Sequence, residues 1–300
     1  MVWETQPDVR VDRINIAKHF VKKPFPSKRE RLFLITEYYC ASSKGAKSIL
    51  YKMSFFKISK GIVMAIDVLF FDVLGTVVDW RSSIAADISN FLNRVEANGV
   101  DPDALSKAWI ARYDSSVALI RNDKRAFVTL DVINRENLMD CLLAFGLNPT
   151  NLPSDALDDL IAAWHRLRPW PDSVVGIAKL KKHFIVAPLS DGHTRLLVNL
   201  SRYSGLQWDM IFGADVSLAY KPMPQVYLRA CDLLQVTPER AMLVAAHDYD
   251  LDAAQHCGLK AAYVPRRYEI SSSTDQETPI DHRWDYIAHD LIHLAEILVK

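Results

Sequence analysis

From His183 to Val264 the chain alternates short apolar runs with helix-period stretches, and this alternation limits the fold more than any other feature. HFIVAPL (183–189), 209–213, AMLVAA (241–246) and KAAYV (260–264) each read as a buried strand, and Ile66–Phe71 is another one upstream. Helical spacing fills 173–181, 193–204, 223–235 and 250–257, and 285–300 reads as a last strand turn and a helix. Strand and helix in succession imply a parallel sheet with helices on both faces. Ligands of such sheets lie beyond the carboxyl ends of the strands.

The stretch after the first strand is different. Residues 83–98, 103–120, 131–144 and 155–167 space apolar residues by three and four, as Ile84, Ile88, Phe91, Leu92 and Val95 do, and no strand pattern interrupts them between 83 and 168. Trp170-Pro171-Asp172 then punctuates the chain. The expected plan is an α/β core, 64–82 plus 169–300, interrupted by an all-helical insert over 83–168. Trp80, Trp164 and Trp170 are expected to pack the junction between them.

Composition excludes several classes. The 36 Lys and Arg balance 36 Asp and Glu, so net charge predicts no nucleic-acid partner. With 50% hydrophobic residues the chain can bury a core. No apolar run approaches the ~20 residues of a membrane span, and the longest, Gly61 to Phe71, carries Asp67. Cys40, Cys141, Cys231 and Cys257 form no CxxC pair, which argues against a zinc module or disulfide scaffold and for a reducing, cytoplasmic setting. Residues 1–63 hold 13 Lys and Arg against 5 Asp and Glu and show no sustained period, so a basic, poorly ordered extension is expected there.

The strand-end rule selects candidate site residues. The first strand ends at Asp72, followed by Gly75 and Thr76, and the 183–189 strand leads to Ser190-Asp191-Gly192. Lys221 follows the 209–213 strand, while His247, Asp248 and Asp250 follow the 241–246 strand. A carboxylate can attack as a nucleophile and form an ester that water later cleaves. A neighbouring ammonium keeps it ionised and steadies developing charge, and a second carboxylate can fix the ammonium or orient the water. Taken singly, Asp72 and Asp250 also read as helix N-caps and Lys221 as a surface charge.

FFDVLGTVVDW (70–80), PLSDG (188–192), AYKPMPQVY (219–227) and VAAHDYDLDAAQHCGL (244–259), in this order and spacing, resemble the haloacid dehalogenase superfamily, and within it the type II 2-haloacid dehalogenases. The resemblance runs from about Ala65 to the C-terminus. It implies a Rossmann-like parallel-sheet core with an inserted helical cap. It also implies Asp72 as nucleophile, Thr76 bonded near it, Ser190 as a hydroxyl for the substrate carboxylate or the nucleophile, Lys221 as the site lysine, and Asp250 as the last carboxylate. Leu74, Asp191, Tyr227 and His247 are expected to contact substrate.

Two departures favour carbon–halogen over phosphate-ester hydrolysis. The superfamily's phosphatases carry a second Asp two residues after the nucleophile to protonate an alkoxide, and this chain has Leu74 there. They also hold Mg²⁺ with an acid where this chain has Ala246. The implied reaction converts a short 2-haloalkanoate to a 2-hydroxy acid with no cofactor and no metal, and a homodimer is compatible with it. Three other departures keep alternatives open: an Mg²⁺-dependent phosphatase or phosphonatase-like hydrolase, or a catalytically impaired binder of small acids. Trp109-Ile110 replaces the Trp-Arg pair whose Arg binds halide, with Arg112, Arg121 and Arg125 nearby; Ser190-Asp191 replaces Ser-Asn; and His247-Asp248 replaces amides or small polar groups.

Overall fold

The computed structural model describes residues 65–266 and 283–299 in full, together with the backbone of 32–43 and 46–57. The chain divides into two compact units, Met1–Val63 and Met64–Lys300. In the first, β1 (Leu32–Ser43) and β2 (Ala46–Lys57) pair antiparallel, from Leu32 opposite Lys57 to Ser43 opposite Ala46. The sequence reading marked no sustained strand period over 1–63, and β1 and β2 are strands that it did not mark. Both strands are rich in aromatic and aliphatic residues, and Gly45 separates them, a hairpin signal that the charge count obscured. The rest of the expected extension lies outside the described residues.

In the second unit the strands and helices follow in the expected order. β3 (Val68–Phe71) leads through a tight loop to β4 (Val78–Asp79), then to α1 (Trp80–Arg94), α2 (Pro102–Ala111), α3 (Tyr113–Arg121), α4 (Leu130–Ala144) and α5 (Ser154–Ile161). β5 (Arg168–Pro169) pairs with β4 and closes the insert. Then come α6 (Ser173–Leu180), β6 (Ile185–Ser190), α7 (Thr194–Ser204), β7 (Phe212–Gly213) and α8 (Ala214–Ser217). α9 (Pro224–Leu234), β8 (Ala241–Ala245), α10 (Asp248–His256), β9 (Lys260–Tyr263), β10 (Tyr286–Ile287) and α11 (Leu291–Leu298) complete the unit.

The six-stranded sheet has the order β10-β9-β8-β3-β6-β7, and its described pairings are parallel. β3 lies in the middle, and Val68, Leu69, Phe70 and Phe71 have no exposed surface. An all-apolar strand is required there because helices cover both faces, and burial of each such side chain contributes about 1.5–3 kcal/mol. One face packs Leu69 and Phe71 towards the insert-side core, and the other packs Val68 and Phe70 against α9 and α10 residues such as Val226 and Leu251. The single helix expected over 103–120 is interrupted at Arg112, whose N–H turns back to Trp109 and Ile110.

Tethers fix the loop after β3. Gly75 adopts φ 91°, a left-handed conformation that favours glycine. Trp170 donates from Nε1 to Gly75 O at 2.9 Å, Ser173 Oγ donates to Val77 O at 2.7 Å, and Arg266 Nε donates to Thr76 O at 2.8 Å. Arg266 is itself clamped by both oxygens of Asp172 at 2.8 and 2.9 Å, and Asp172 also accepts from Leu291 N. Trp80 and Trp164 lie with their rings tilted by 32° at 5.6 Å, with Trp109 edge-on to Trp164 at 5.7 Å.

Candidate active site

Asp72 is the first residue beyond β3, and its N–H donates to Val244 O of β8. Its carboxylate is nearly buried and receives donors on both oxygens. Lys221 Nζ lies 3.1 Å from Oδ1, while Thr76 Oγ1 and His247 Nδ1 lie 2.7 and 3.0 Å from Oδ2. Burial pushes the Asp72 carboxyl up, but the Lys221 ammonium and the bonds from His247 and Thr76 outweigh it and hold the group well below the usual carboxylate range. An ionised carboxylate only accepts, so His247 Nδ1 carries the proton of that bond. Thr76 is oriented as well: its oxygen accepts from Ala246 N–H at 2.8 Å, which turns its own proton to Asp72.

Lys221 is 1% exposed and bridges two carboxylates, with Nζ 2.5 Å from Asp250 Oδ2. Burial alone would lower its pKa, but Asp250, Asp72 and Asp191 raise it instead, so it stays cationic. Asp250, fully buried on the first turn of α10, also accepts from Tyr227 OH at 2.6 Å. Burial pushes the Asp250 carboxyl up to about 6 against the pull of Lys221.

The structure thus brings Asp72, Thr76, Lys221, His247 and Asp250 into one bonded network. Tyr227, expected to contact substrate, is fully buried, and its hydroxyl donates to Asp250 at 2.6 Å and positions that carboxylate. Ser190 ends the neighbouring strand β6, and its oxygen accepts from Gly192 N–H at 3.1 Å, closing the Asp191-Gly192 turn. Leu74 is half-buried in the loop between Asp72 and β4 and bridges to Val78.

Asp191 is turned into a cradle of its own. Oδ1 accepts from Lys221 N–H at 2.8 Å, Oδ2 accepts a short bond from Tyr113 OH, and Arg121 NH2 lies 4.0 Å from Oδ2. Burial raises its pKa, and Lys221, Tyr113 and Arg121 only partly offset this. Tyr113 and Arg121 come from α3, so the insert reaches the strand ends. Tyr220 ties the two from the other side, donating to Val128 O at 2.8 Å.

The arginines near Ile110 separate clearly. Arg112 faces Asp140 at 3.4 Å on the insert's surface, and Arg125 forms a bidentate pair with Glu136 at 2.7 Å. Arg121 reaches Asp191 at 4.0 Å and the exposed Asp114 at 3.8 Å, and its buried Nε has no hydrogen-bond partner. Tyr113 and Arg266 were not found from sequence. Arg266 had a signal, since it follows the end of the 260–264 strand; Tyr113 had none, because its partner is 78 positions away.

The residues do not fit the Mg²⁺ site of the fold's phosphatases. Ala246 has no side-chain oxygen to offer a metal, and its N–H is given to Thr76. Asp248 is exposed beside Arg283, and Asp250 is committed to Lys221 and Tyr227. What the arrangement can do is present an ionised, oriented carboxylate at the mouth of a parallel sheet, with donors waiting on its second oxygen.

The haloacid dehalogenase-like hydrolase family matches residues 66–258. The crystal structure of the defluorinating L-2-haloacid dehalogenase Rha0230 is 41% identical and superposes with a TM-score of 0.75, covering 78% of this chain and 96% of that one. The L-2-haloacid dehalogenase PA0810 is 38% identical with a TM-score of 0.72, over 78% and 99%. The (S)-2-haloacid dehalogenase 4A of Burkholderia cepacia is 26% identical over 233 residues, 75% of this chain and 96% of that protein. The chain belongs to the haloacid dehalogenase-like hydrolases.

Proposed function

We propose that this chain hydrolyses the carbon–halogen bond of a short 2-haloalkanoate, of the S (L) series that its relatives are named for, through an ester on Asp72. One observation carries the reading: Asp72 is buried, held ionised, and bonded unequally on its two oxygens. Oδ1, with Lys221 alone, is the attacking oxygen. It bonds to the substrate's α-carbon as the carbon–halogen bond breaks, and halide leaves with the electron pair. Oδ2 becomes the ester carbonyl, and Thr76 and His247 then stabilise the negative charge that water creates on it. Collapse of that adduct releases the 2-hydroxy acid and restores Asp72, with one proton and one halide as net products.

Halide needs no proton to depart, so Leu74 suffices where a phosphatase needs an acid. Arg121 serves as the cation that Ile110 cannot supply, meeting the anionic substrate or the departing halide from the cap side. The helical insert acts as a cap that excludes bulk water from the displacement.

Single turnover in ¹⁸O-water tests the ester. With enzyme in excess, the 2-hydroxy acid should carry unlabelled oxygen while label enters Asp72, read by peptide mass spectrometry. Label in the first-turnover product and none in Asp72 would mean direct attack by water. Asp72→Asn should abolish halide release from 2-chloro- and 2-bromoalkanoates in EDTA.

A further inference from the structure

A second constellation lies where the helical insert meets the core, and it serves no purpose in the chemistry above. Asp131 stands on the first turn of α4, His165 lies just after α5, and His193 precedes α7, two residues beyond Asp191. His165 Nε2 is 3.0 Å from Asp131 Oδ1, and His193 Nε2 is 3.4 Å from Asp131 Oδ2. One ligand atom from each of the three residues lies within 4.8 Å of the others. We propose that Asp131, His165 and His193 form a Zn²⁺-type metal site that ties the insert to the core.

Geometry and chemistry support this class of ion. Two ligands bonded at about 2.0–2.1 Å to a tetrahedral ion stand about 3.3 Å apart, close to the 3.0 and 3.4 Å that the two histidines keep from Asp131. Two imidazoles and one carboxylate suit Zn²⁺ and its transition-metal neighbours, whereas Mg²⁺ and Ca²⁺ favour oxygen. Asn199 Nδ2 lies 2.9 Å from His165 Nδ1, and the amide can turn its oxygen there to hold the proton on Nδ1 and leave Nε2 for the metal. His193 is buried and its Nδ1 has no hydrogen-bond partner, so nothing behind the ring commits the proton to Nε2. A surface cavity of about 500 Å³ opens on Asp131 and His165, giving an entry path and room for water as fourth ligand.

The test uses the full chain, stripped with chelator and titrated with Co²⁺, then Zn²⁺. One equivalent of Co²⁺ should give the intense visible bands of a four-coordinate ion, Zn²⁺ should displace it, and Zn²⁺ should raise the Tm. His165→Ala and Asp131→Asn, checked as folded by circular dichroism, should weaken Co²⁺ binding at least tenfold. Asn199→Ala, which touches no metal, should weaken it by about tenfold or more. His289 and His293, at the start of α11, stack at 4.7 Å and form the natural control. Binding that survives His165→Ala, that disappears in His293→Ala, or that shows only six-coordinate Co²⁺ would overturn the assignment.

Discussion

Replacing Lys221 with methionine tests the electrostatic account of the site directly. The side chains are similar in length, so packing is largely kept while one buried positive charge is removed. At an effective dielectric of about 20, charges at the separations seen here, 3.1 Å to Asp72 and 2.5 Å to Asp250, attract by roughly 5 and 7 kcal/mol before desolvation. Desolvation of the ammonium offsets much of this, and breaking a buried pair on one side costs about 3–5 kcal/mol. Lys221 is 1% exposed, so solvent screening does not reduce that figure. In the variant both carboxylates lose their cation and their folded-state pKa values rise above the unfolded ones. Groups shifted in that direction are fully tolerated below the unfolded carboxylate pKa, about 4, and cost stability as pH rises through their folded values. The destabilisation of Lys221→Met relative to wild type should therefore be about 3–5 kcal/mol at pH 7.5 and shrink steadily as pH falls towards 4. Carboxylates elsewhere cancel in the difference. Urea denaturation of both proteins at four or five pH values measures it. A penalty that is the same at every pH would refute the reasoning, because that is the signature of lost packing alone. Halide release by the variant should fall at least a thousandfold at pH 7.5 and should not recover at higher pH.

Other perturbations separate the remaining parts. Thr76→Val removes the acceptor for Ala246 N–H and a donor to Asp72; it should cost about 1–3 kcal/mol and reduce the rate of ester hydrolysis more than ester formation, read by rapid quench. Arg121→Met should raise KM for 2-haloalkanoates about tenfold or more, the scale of one charge-assisted contact; an unchanged KM would remove Arg121 from substrate binding. Asp191→Asn keeps the acceptor for Lys221 N–H while deleting a negative charge, so KM for the anionic substrate should fall, and a rise would show that the carboxylate itself is needed. Gly176→Ala would place a Cβ 2.6 Å from Leu291 backbone. It should destabilise by about 3 kcal/mol, the upper end for overpacking, in thermal denaturation.

Much of the fold was legible because it rests on local pattern. The run at Val68–Phe71 is apolar throughout because the central strand is covered on both faces, and the helical insert announced itself by an unbroken spacing of three and four. The residues of the bonded network were legible for a related reason: Asp72, Lys221, His247 and Asp250 all follow strands, where parallel sheets concentrate function. What remained hidden depends on packing between distant segments. No periodicity says that Tyr113 will reach Asp191, or that Arg121 will point to the site while Arg112 and Arg125 pair with Asp140 and Glu136 on the surface. The same holds for Tyr227, whose hydroxyl is directed at Asp250 because of the way α9 lies beside α10.

Strand order explains why Asp72, the proposed nucleophile, stands where it does. Neighbouring strands are about 4.8 Å apart, so groups at the ends of β8, β3 and β6 can meet over a single side chain, though His247 is 175 residues from Asp72 in sequence. β3 lies between the other two, so Asp72 receives His247 and the Ala246–Thr76 relay from the β8 side, while Ser190 and Asp191 stand on the β6 side. Lys221 comes from beyond β7 and is held by its main chain to Asp191 and by its side chain to Asp72 and Asp250. A carboxylate at the edge of the sheet would have one such flank and more water. The central position supplies fixed donors on both sides, and donors that need not reorganise as charge moves are the ones that lower a barrier most. The helical insert follows directly from the same loop, so the proposed cap is anchored next to the proposed nucleophile.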